Sequence, residues 1–410
     1  MEVITLRQQE VTRYGVIKGV IDRKISNSEA ATLLDISRRQ VIRIKNKVRR
    51  ADFKAIVHGN RGRRPKLAIS NETKETILSL YRSSYYGFNV THFGEFLKEV
   101  HGIEVSRETL RKLLLNSGLR AKSKSPPRYR SRRARMPRRG LLVQMDSSEH
   151  PWMGGKSMWL IATIDDATGE VPYALFVDSD STENNMSVIK KLVEKKGIPA
   201  ALYTDGASHF KTKRHYSYRV NLKYDYAPTQ IQRALNELGV RLIIAGSPQA
   251  KGRIERLFGT FQDRLLKELR LYKISSIEKA NHYLHTKFLP KFNKRFSIPP
   301  KDPETAWRVL PKGLNLDSVF SIKEKITVRA DNTISYKNRI FQILPNKYRI
   351  SFAKAQVMVE KRLDESIHIK YKDQYLNYKE IHSDETYEAK PSSNTLVLND
   401  LITSDIFSLY

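Results

Sequence analysis

The chain has no cysteine. Disulfides, thiol nucleophiles, zinc knuckles and thiolate-bound clusters are therefore excluded, and any metal must rest on oxygen or imidazole. It also lacks an apolar run of the about 20 residues that span a bilayer, and a secretory leader pattern at its start. A soluble, cytoplasmic protein is expected. Acidic residues are scarce, 43 against 74 basic ones, which leaves a formal net charge of +31. Such an imbalance makes a polyanion the expected partner, nucleic acid ahead of a membrane surface. At 410 residues the chain is too long for one ordinary core, so several modules are expected.

Within residues 1–52, a short helix, a turn and a new start are legible between Ser26 and Ser37, and Ser37 with Gln40 suits a capping box. The next helix keeps Val41, Ile42, Ile44 and Val48 for packing and presents Arg38, Arg39, Arg43 and Lys45. This is the pattern of a helix-turn-helix unit, whose second helix lies in the major groove. A small bundle with a solvated basic face is the plainer alternative. Residues 53–66 read as a basic linker or arm, where two glycines and a proline break helix and leave Arg61, Arg63 and Arg64 to reach outward. A second helix-turn-helix domain is expected over 67–120, with Ser106 as N-cap, Gly118 as stop, and Arg107 and Arg111 as candidate DNA contacts. Its alternative is a unit that only packs or dimerises. From Arg120 to Arg139, ten of twenty residues are basic, none is acidic and three are proline. This linker (121–139), with Arg128, Arg130, Arg132 and Arg133, is expected to lie along phosphates and lend salt-dependent affinity.

After Gly140 short apolar runs take over: Leu141–Met145, Trp159–Ile164, Val171–Val177, a helix at 183–195, Ala201–Tyr203, a helix at 229–238, Val240–Ile244 and a final helix. The order β-β-β-α-β-α-β-α predicts a mixed α/β sheet. Asp146 and Asp205 directly follow the first and fourth strands, so both carboxylates are expected at strand tips. The last helix has Ser247 as cap, Pro248 at its first position, and a stripe of Ile254, Leu257, Phe258, Phe261, Leu265 and Leu269. Glu255 stands on the border of that stripe, with Lys251 and Arg253 beside it as further DNA contacts. Three convergent carboxylates repel one another unless cations lie between them. Two Mg²⁺ ions, with Mn²⁺ as a substitute, suit such hard oxygen ligands and the in-line displacement of a phosphodiester. Asp146, Asp205 and Glu255 are accordingly the candidate catalytic and metal-binding residues.

The chain resembles the DDE transposases and integrases of the retroviral-integrase, RNase H-like superfamily, most closely the ISNCY-type bacterial insertion-sequence transposases. The resemblance rests on Gln144-Met-Asp146-Ser-Ser-Glu-His150-Pro-Trp152, Ala162-Thr-Ile-Asp-Asp-Ala-Thr-Gly169, Tyr203-Thr-Asp205 and Ser247-Pro-Gln-Ala-Lys-Gly-Arg-Ile-Glu255-Arg, and extends through Phe292-Asn-Lys-Arg-Phe-Ser-Ile-Pro-Pro300. It implies metal-ligand roles for the three acids, cleavage at element ends, and joining of the freed 3′-OH to target DNA. The sequence departs from the family at Asp205-Gly206-Ala207, where Asp-Asn-Gly is common, and in an insertion from Lys211 to Thr229.

Other signals carry less. Asp165 and Asp166 introduce Ala-Thr-Gly169 and read as caps of a β-turn. Gly154-Gly-Lys-Ser157 imitates a phosphate loop, but His150 occupies the position of its first glycine. His150 and His209 are read as structural ahead of phosphate contact, and His282 with His285 lack the partners of a zinc site. Past Pro311, alternating residues predict hairpins and further strands at Tyr348–Phe352, Gln356–Glu360 and Ser366–Tyr371.

The expected whole is multidomain α+β: N-terminal helix-turn-helix units, a central RNase H-like α/β catalytic core (140–305), a small SH3-like β-barrel (306–380) and a C-terminal tail (381–410). Its expected partners are double-stranded DNA, at element ends and target, and further copies of itself, as a homodimer or higher synaptic complex, with no membrane. A catalytically inactive DNA-binding regulator and an RNase H-like nuclease without strand transfer are the alternatives.

Overall fold

The computed structural model describes residues 7–57, 60–61, 69–121, 134–155, 157–211, 228–245 and 252–381. Arg63, Arg64, Arg128, Arg130, Arg132, Arg133, Ser247, Pro248 and Lys251, nearly all of the insertion and the tail from residue 382 lie outside them. Two compact units divide the chain between Ser79 and Leu80.

In the first unit, helices α1 (Gln8–Ile21), α2 (Asn27–Leu34) and α3 (Arg38–Ala51) enclose a small core of Ile17, Val20, Ala30, Val41 and Val48. A full capping box opens α2, where Ser26 Oγ accepts from Glu29 N and Glu29 Oε2 accepts from Ser26 N. At α3 only half of the expected box forms: Ser37 Oγ accepts from Gln40 N, without a return bond from Ser37 N to the Gln40 side chain. The expected packing residue Ile42 is 41% exposed, because it lies about 100° around the helix from Val41. Asp35 makes the turn before α3 in the left-handed region, φ 50°.

The second unit is built on a five-stranded sheet of order β3-β2-β1-β4-β5. Its strands are β1 (Val143–His150), β2 (Met158–Asp165), β3 (Ala174–Val177), β4 (Ala201–Thr204) and β5 (Arg241–Ile244). The first three are antiparallel neighbours, while β4 runs parallel to β1 and β5 parallel to β4. Alternation along the strands separates two cores. Val143, Met145, Ile161 and Leu202 pack with α7 (Thr182–Lys196) and α8 (Gln230–Glu237). Leu160, Ala162, Ile164 and Phe176 pack with α9 (Gly252–Leu271) and with the run α10 (Ile277–Tyr283), a π-turn (Leu284–Phe288) and α11 (Leu289–Phe296). All six residues of the expected α9 stripe are buried.

Helix α4 (Asn71–Ser83) precedes α5 (Val90–His101), and α5 is fastened to this body by polar pairs that no local pattern foretells. His92 Nε2 lies 2.8 Å from Glu268 Oε1, with both side chains buried. Glu95 takes two bonds from Arg264, at 2.6 and 3.0 Å, and also pairs with Arg295. Asn89 bonds to Asp263, and Glu99 takes Lys291 and Arg295. The next helix, α6 (Arg107–Asn116), starts at the expected cap, with Ser106 Oγ accepting from Thr109 N, and Gly118 follows its end at φ +69°.

Beyond the core, Gly197 takes φ +101° at the end of α7, and a Cβ there would stand 2.6 Å from the Arg308 carbonyl. The chain is thereby stitched to the sheet through paired backbone bonds between Ile198 and Arg308. The expected barrel is replaced by two sheets. One contains β6 (Ile322–Thr327), β9 (Gln356–Lys361), β10 (Ile367–Tyr371) and β11 (Gln374–Leu376), the other β7 (Thr333–Tyr336), β8 (Arg339–Ile343) and β12 (Tyr378–Ile381). They share one apolar core, but no ladder joins β8 to β9. Residues 348–352, expected as a strand, contribute only an isolated bridge between Arg349 and Asn346, so the cylinder stays open. Lys337 and Asn338, both at positive φ, form the two-residue turn between β7 and β8.

Two measurements test this packing. Glu95→Ala strands Arg264, 8% exposed, beside an empty counter-charge, and should cost about 3 kcal/mol in chemical denaturation. His285 Nε2 donates to the Ala174 carbonyl at 2.8 Å, and its ring is stacked on Tyr173. Burial holds its pKa below the ordinary histidine range. A depressed value means that the neutral ring stabilises the fold above the unfolded-chain value of about 6.5, a contribution lost as pH falls through the folded value. Acidification below about pH 6.5 should therefore destabilise the native chain more steeply than His285→Gln.

Candidate active site

The site is organised by the even-numbered residues of β1. Gln144, Asp146 and Ser148 share the face of the sheet that carries α9, since Asp146 pairs across with Ala162 of the α9-side core. Gln144 Oε1 accepts from Ile254 N at 3.3 Å, and Gln262 Nε2 donates to Ser148 Oγ at 3.4 Å. Helix α9 thus runs along β1, anchored on either side of Asp146. Glu255 precedes Gln262 by seven residues, about two turns, so it belongs to the stripe that meets Ser148.

Asp146 does not stand at the end of its strand as expected. The strand continues to His150 because β2 pairs with it along its whole length, whereas β4 pairs only at Val143 and Gln144. Asp205 does stand just past the tip of β4, where its Oδ1 accepts from Ala207 N at 3.0 Å. Continuing the register of Val143↔Leu202 and Gln144↔Tyr203 by two residues brings Asp146 level with Asp205, on strands about 4.8 Å apart. Glu255 is exposed in the first described turn of α9. Among the described residues, no three His, Cys, Asp or Glu side chains are gathered into a group that could hold a metal. The register places Asp146 and Asp205 on neighbouring strands, and α9 is anchored along β1 on the same face as Asp146. All three donors are carboxylates, a chemistry that fits a hard divalent cation.

The neighbouring polar groups are mostly engaged. Asp180 takes Ser147 Oγ at 2.8 Å and Asn185 Nδ2 at 2.6 Å, and His209 lies against it and Thr182. His150 packs beside Trp152, with ring centroids 5.3 Å apart. Asp165 caps the turn as expected, accepting from Thr168 N and Oγ1 and also from Gly140 N. Asp166 does more than the turn assignment foresees: fully buried, it accepts from Gln144 Nε2 at 2.8 Å and Met136 N at 2.9 Å.

The remaining candidate DNA contacts divide by environment. Arg38, Arg39 and Arg43 are exposed on α3, and Lys45 is half-buried. Arg61 pairs with Glu10 at 2.9 Å, and Arg111 makes two bonds to Glu108 within its own helix. Arg107 is exposed and reaches Thr91 Oγ1 at 3.2 Å. Arg253 points inward, 10% exposed, with Nε 3.4 Å from Asp166 Oδ1.

No family model matches the chain. It is 30% identical over 388 residues, 94% of this chain and 84% of the relative, to y4bF of Sinorhizobium fredii (strain NBRC 101917 / NGR234), whose given name assigns it as a transposase. It is also 30% identical over 413 residues to the transposase for insertion sequence IS1202 of Streptococcus pneumoniae, covering 92% of this chain and 88% of that one. Among solved structures, the HTLV-2 integrase catalytic core domain in complex with magnesium overlaps 37% of this chain and 89% of its own, at 16% identity and TM-score 0.27. A chain of the simian T-cell lymphotropic virus intasome in complex with PP2A regulatory subunit B56 gamma overlaps 74% of this chain and 96% of its own, at 14% identity and TM-score 0.31.

Proposed function

Because the chain belongs to the bacterial insertion-sequence transposases, we propose that it binds the terminal repeats of its element, hydrolyses the phosphodiester at each end and joins the 3′-OH to target DNA. The observation that supports this reading is the parallel register of β1 and β4, which continued by two residues sets Asp146 level with Asp205, together with the anchoring of α9 along β1 on either side of Asp146. Asp146, Asp205 and Glu255 would hold two Mg²⁺ ions, with Mn²⁺ as a substitute. Bound there, the metals would supply activation of an attacking oxygen and stabilisation of the leaving one. The chain's own part is to present three carboxylates from separate elements and to keep the pair of aspartates at a fixed spacing through the sheet.

Recognition falls to the helical modules. A three-residue turn separates α2 from α3, whose exposed Arg38, Arg39 and Arg43 suit the second helix of a helix-turn-helix unit in the major groove. The second helical module, 67–120, with Arg107 and Arg111, and the basic linkers would follow the adjoining backbone, while the open two-sheet domain supports assembly. Handling two ends together calls for a homodimer or a higher synaptic complex. No described helix is long and apolar enough to cross a membrane.

The test uses labelled DNA carrying the inverted repeats that bound the gene. With Mg²⁺ the protein should release ends and join them to a second duplex; absence of both products at every repeat pair and metal overturns the reading. Asp146→Asn, Asp205→Asn and Glu255→Gln should each lower cleavage about a thousandfold, about 4 kcal/mol of barrier, without loss of end binding. Cleavage retained by one variant removes that residue from the assignment. Binding itself should weaken about a thousandfold between about 50 and about 200 mM salt, as expected for six or more phosphate contacts.

A further inference from the structure

We infer that Gln144 and Asp166 form a positioning pair that seats the first turn of α9, and with it Glu255, against the strand carrying Asp146. Both side chains are buried, Gln144 at 1% and Asp166 at 0% exposure. The amide of Gln144 works in both directions: Nε2 donates to Asp166 Oδ1 at 2.8 Å, while Oε1 accepts from Ile254 N at 3.3 Å. An uncharged amide of this length gives a hydrogen to a carboxylate through its nitrogen and takes one from a backbone N–H through its oxygen. Glutamate would face Asp166 with a second acceptor, methionine would make neither bond, and asparagine falls one methylene short.

Asp166 holds the same turn a second time through Arg253, the residue just before Ile254. Its other oxygen takes Met136 N at 2.9 Å, and its own N–H donates to the Leu142 carbonyl at 2.9 Å, immediately before β1. One buried carboxylate therefore ties together the end of β2, the approach to β1 and the start of α9. Burying that charge is tolerable because a guanidinium and two N–H donors face it. An acceptor delivered to a backbone N–H in the first described turn of α9 fixes where that turn sits against β1. Gln144 and Asp146 are two residues apart on one face, so the strand position that sets the acid also sets the helix bearing Glu255. The geometry of the seat stands alone; its consequence for catalysis rests on the proposed function.

The experiment exploits the polarity of the pair. In the full-length protein, Gln144→Glu and Asp166→Asn should each speed amide hydrogen exchange at Ile254–Leu257 about tenfold, with the sheet unaffected. The double variant Q144E/D166N exchanges donor for acceptor and should restore protection. Mn²⁺ binding, followed by electron paramagnetic resonance, should weaken about tenfold in each single variant and recover in the double. Gln144→Met, which carries no added charge, should loosen the same turn even where Asp166→Asn fails to fold. Unchanged exchange in that turn, or loosening spread across the sheet without recovery in the double variant, overturns the pair. If the wild type binds no Mn²⁺ and cuts no DNA while the exchange pattern holds, the three-carboxylate assignment fails and the seat survives.

Discussion

The constraint on which the rest of the second unit depends is the two-residue period of β1. Its odd positions Val143 and Met145 feed one core, and its even positions Gln144, Asp146 and Ser148 face α9. A slip by one residue would turn every one of these side chains to the opposite face. Such a slip is opposed along the full length of the strand by β2, whose pairing runs from Val143↔Asp165 to His150↔Met158. Candidate chemistry and structural anchorage are thus carried by one row of side chains, and neither can be moved without the other.

Much of this arrangement was legible from sequence. The strand and helix order, the α9 stripe and the caps at Ser37 and Ser106 all depend on periods and spacings within about twenty residues. Less legible was whatever depends on a partner far along the chain. The extent of β1 past Asp146 is set by β2, not by its own apolar residues, because Ser147 to His150 are polar and would read as loop. The C-terminal strands were largely foreseen, but whether two edges join into a barrel is a pairing decision that alternation does not encode, and β8 and β9 do not pair. Asp166 looked like a turn cap because its sequence context is that of a turn. Its partners Gln144 and Arg253 come from positions that local spacing cannot connect.

Charge presents the same difficulty. A net charge of +31 invites every arginine to be read as a DNA contact, yet several of these cations serve inside the protein. Arg264 and Arg295 clamp Glu95, Arg253 meets Asp166, and Arg135 donates to the Asp166 and Ala167 carbonyls. The pairs on α5 matter most, because they join residues about 170 positions apart. Removal of one member would leave the other buried and uncompensated, the arrangement that makes buried ion pairs fragile. Arg38, Arg39 and Arg43 on α3 differ from these in being exposed.

The three acids differ in how firmly they are held, and this bears on how a cation site could close. Asp146 lies within a strand paired along its length with β2. Asp205 stands one residue beyond a four-residue strand, its carboxylate already turned toward Ala207 N. Glu255 sits exposed on a helix whose first turn is tied down at Ile254 rather than at the glutamate itself. Positional freedom therefore rises from the first acid to the third, and under the proposed function it is the glutamate whose rotation would complete or open a shared site at least conformational cost. A helix seated by its backbone, with its acidic side chain left exposed, would on that proposal combine a fixed reach with the ability to bring in charge only when cations offset the repulsion among the carboxylates.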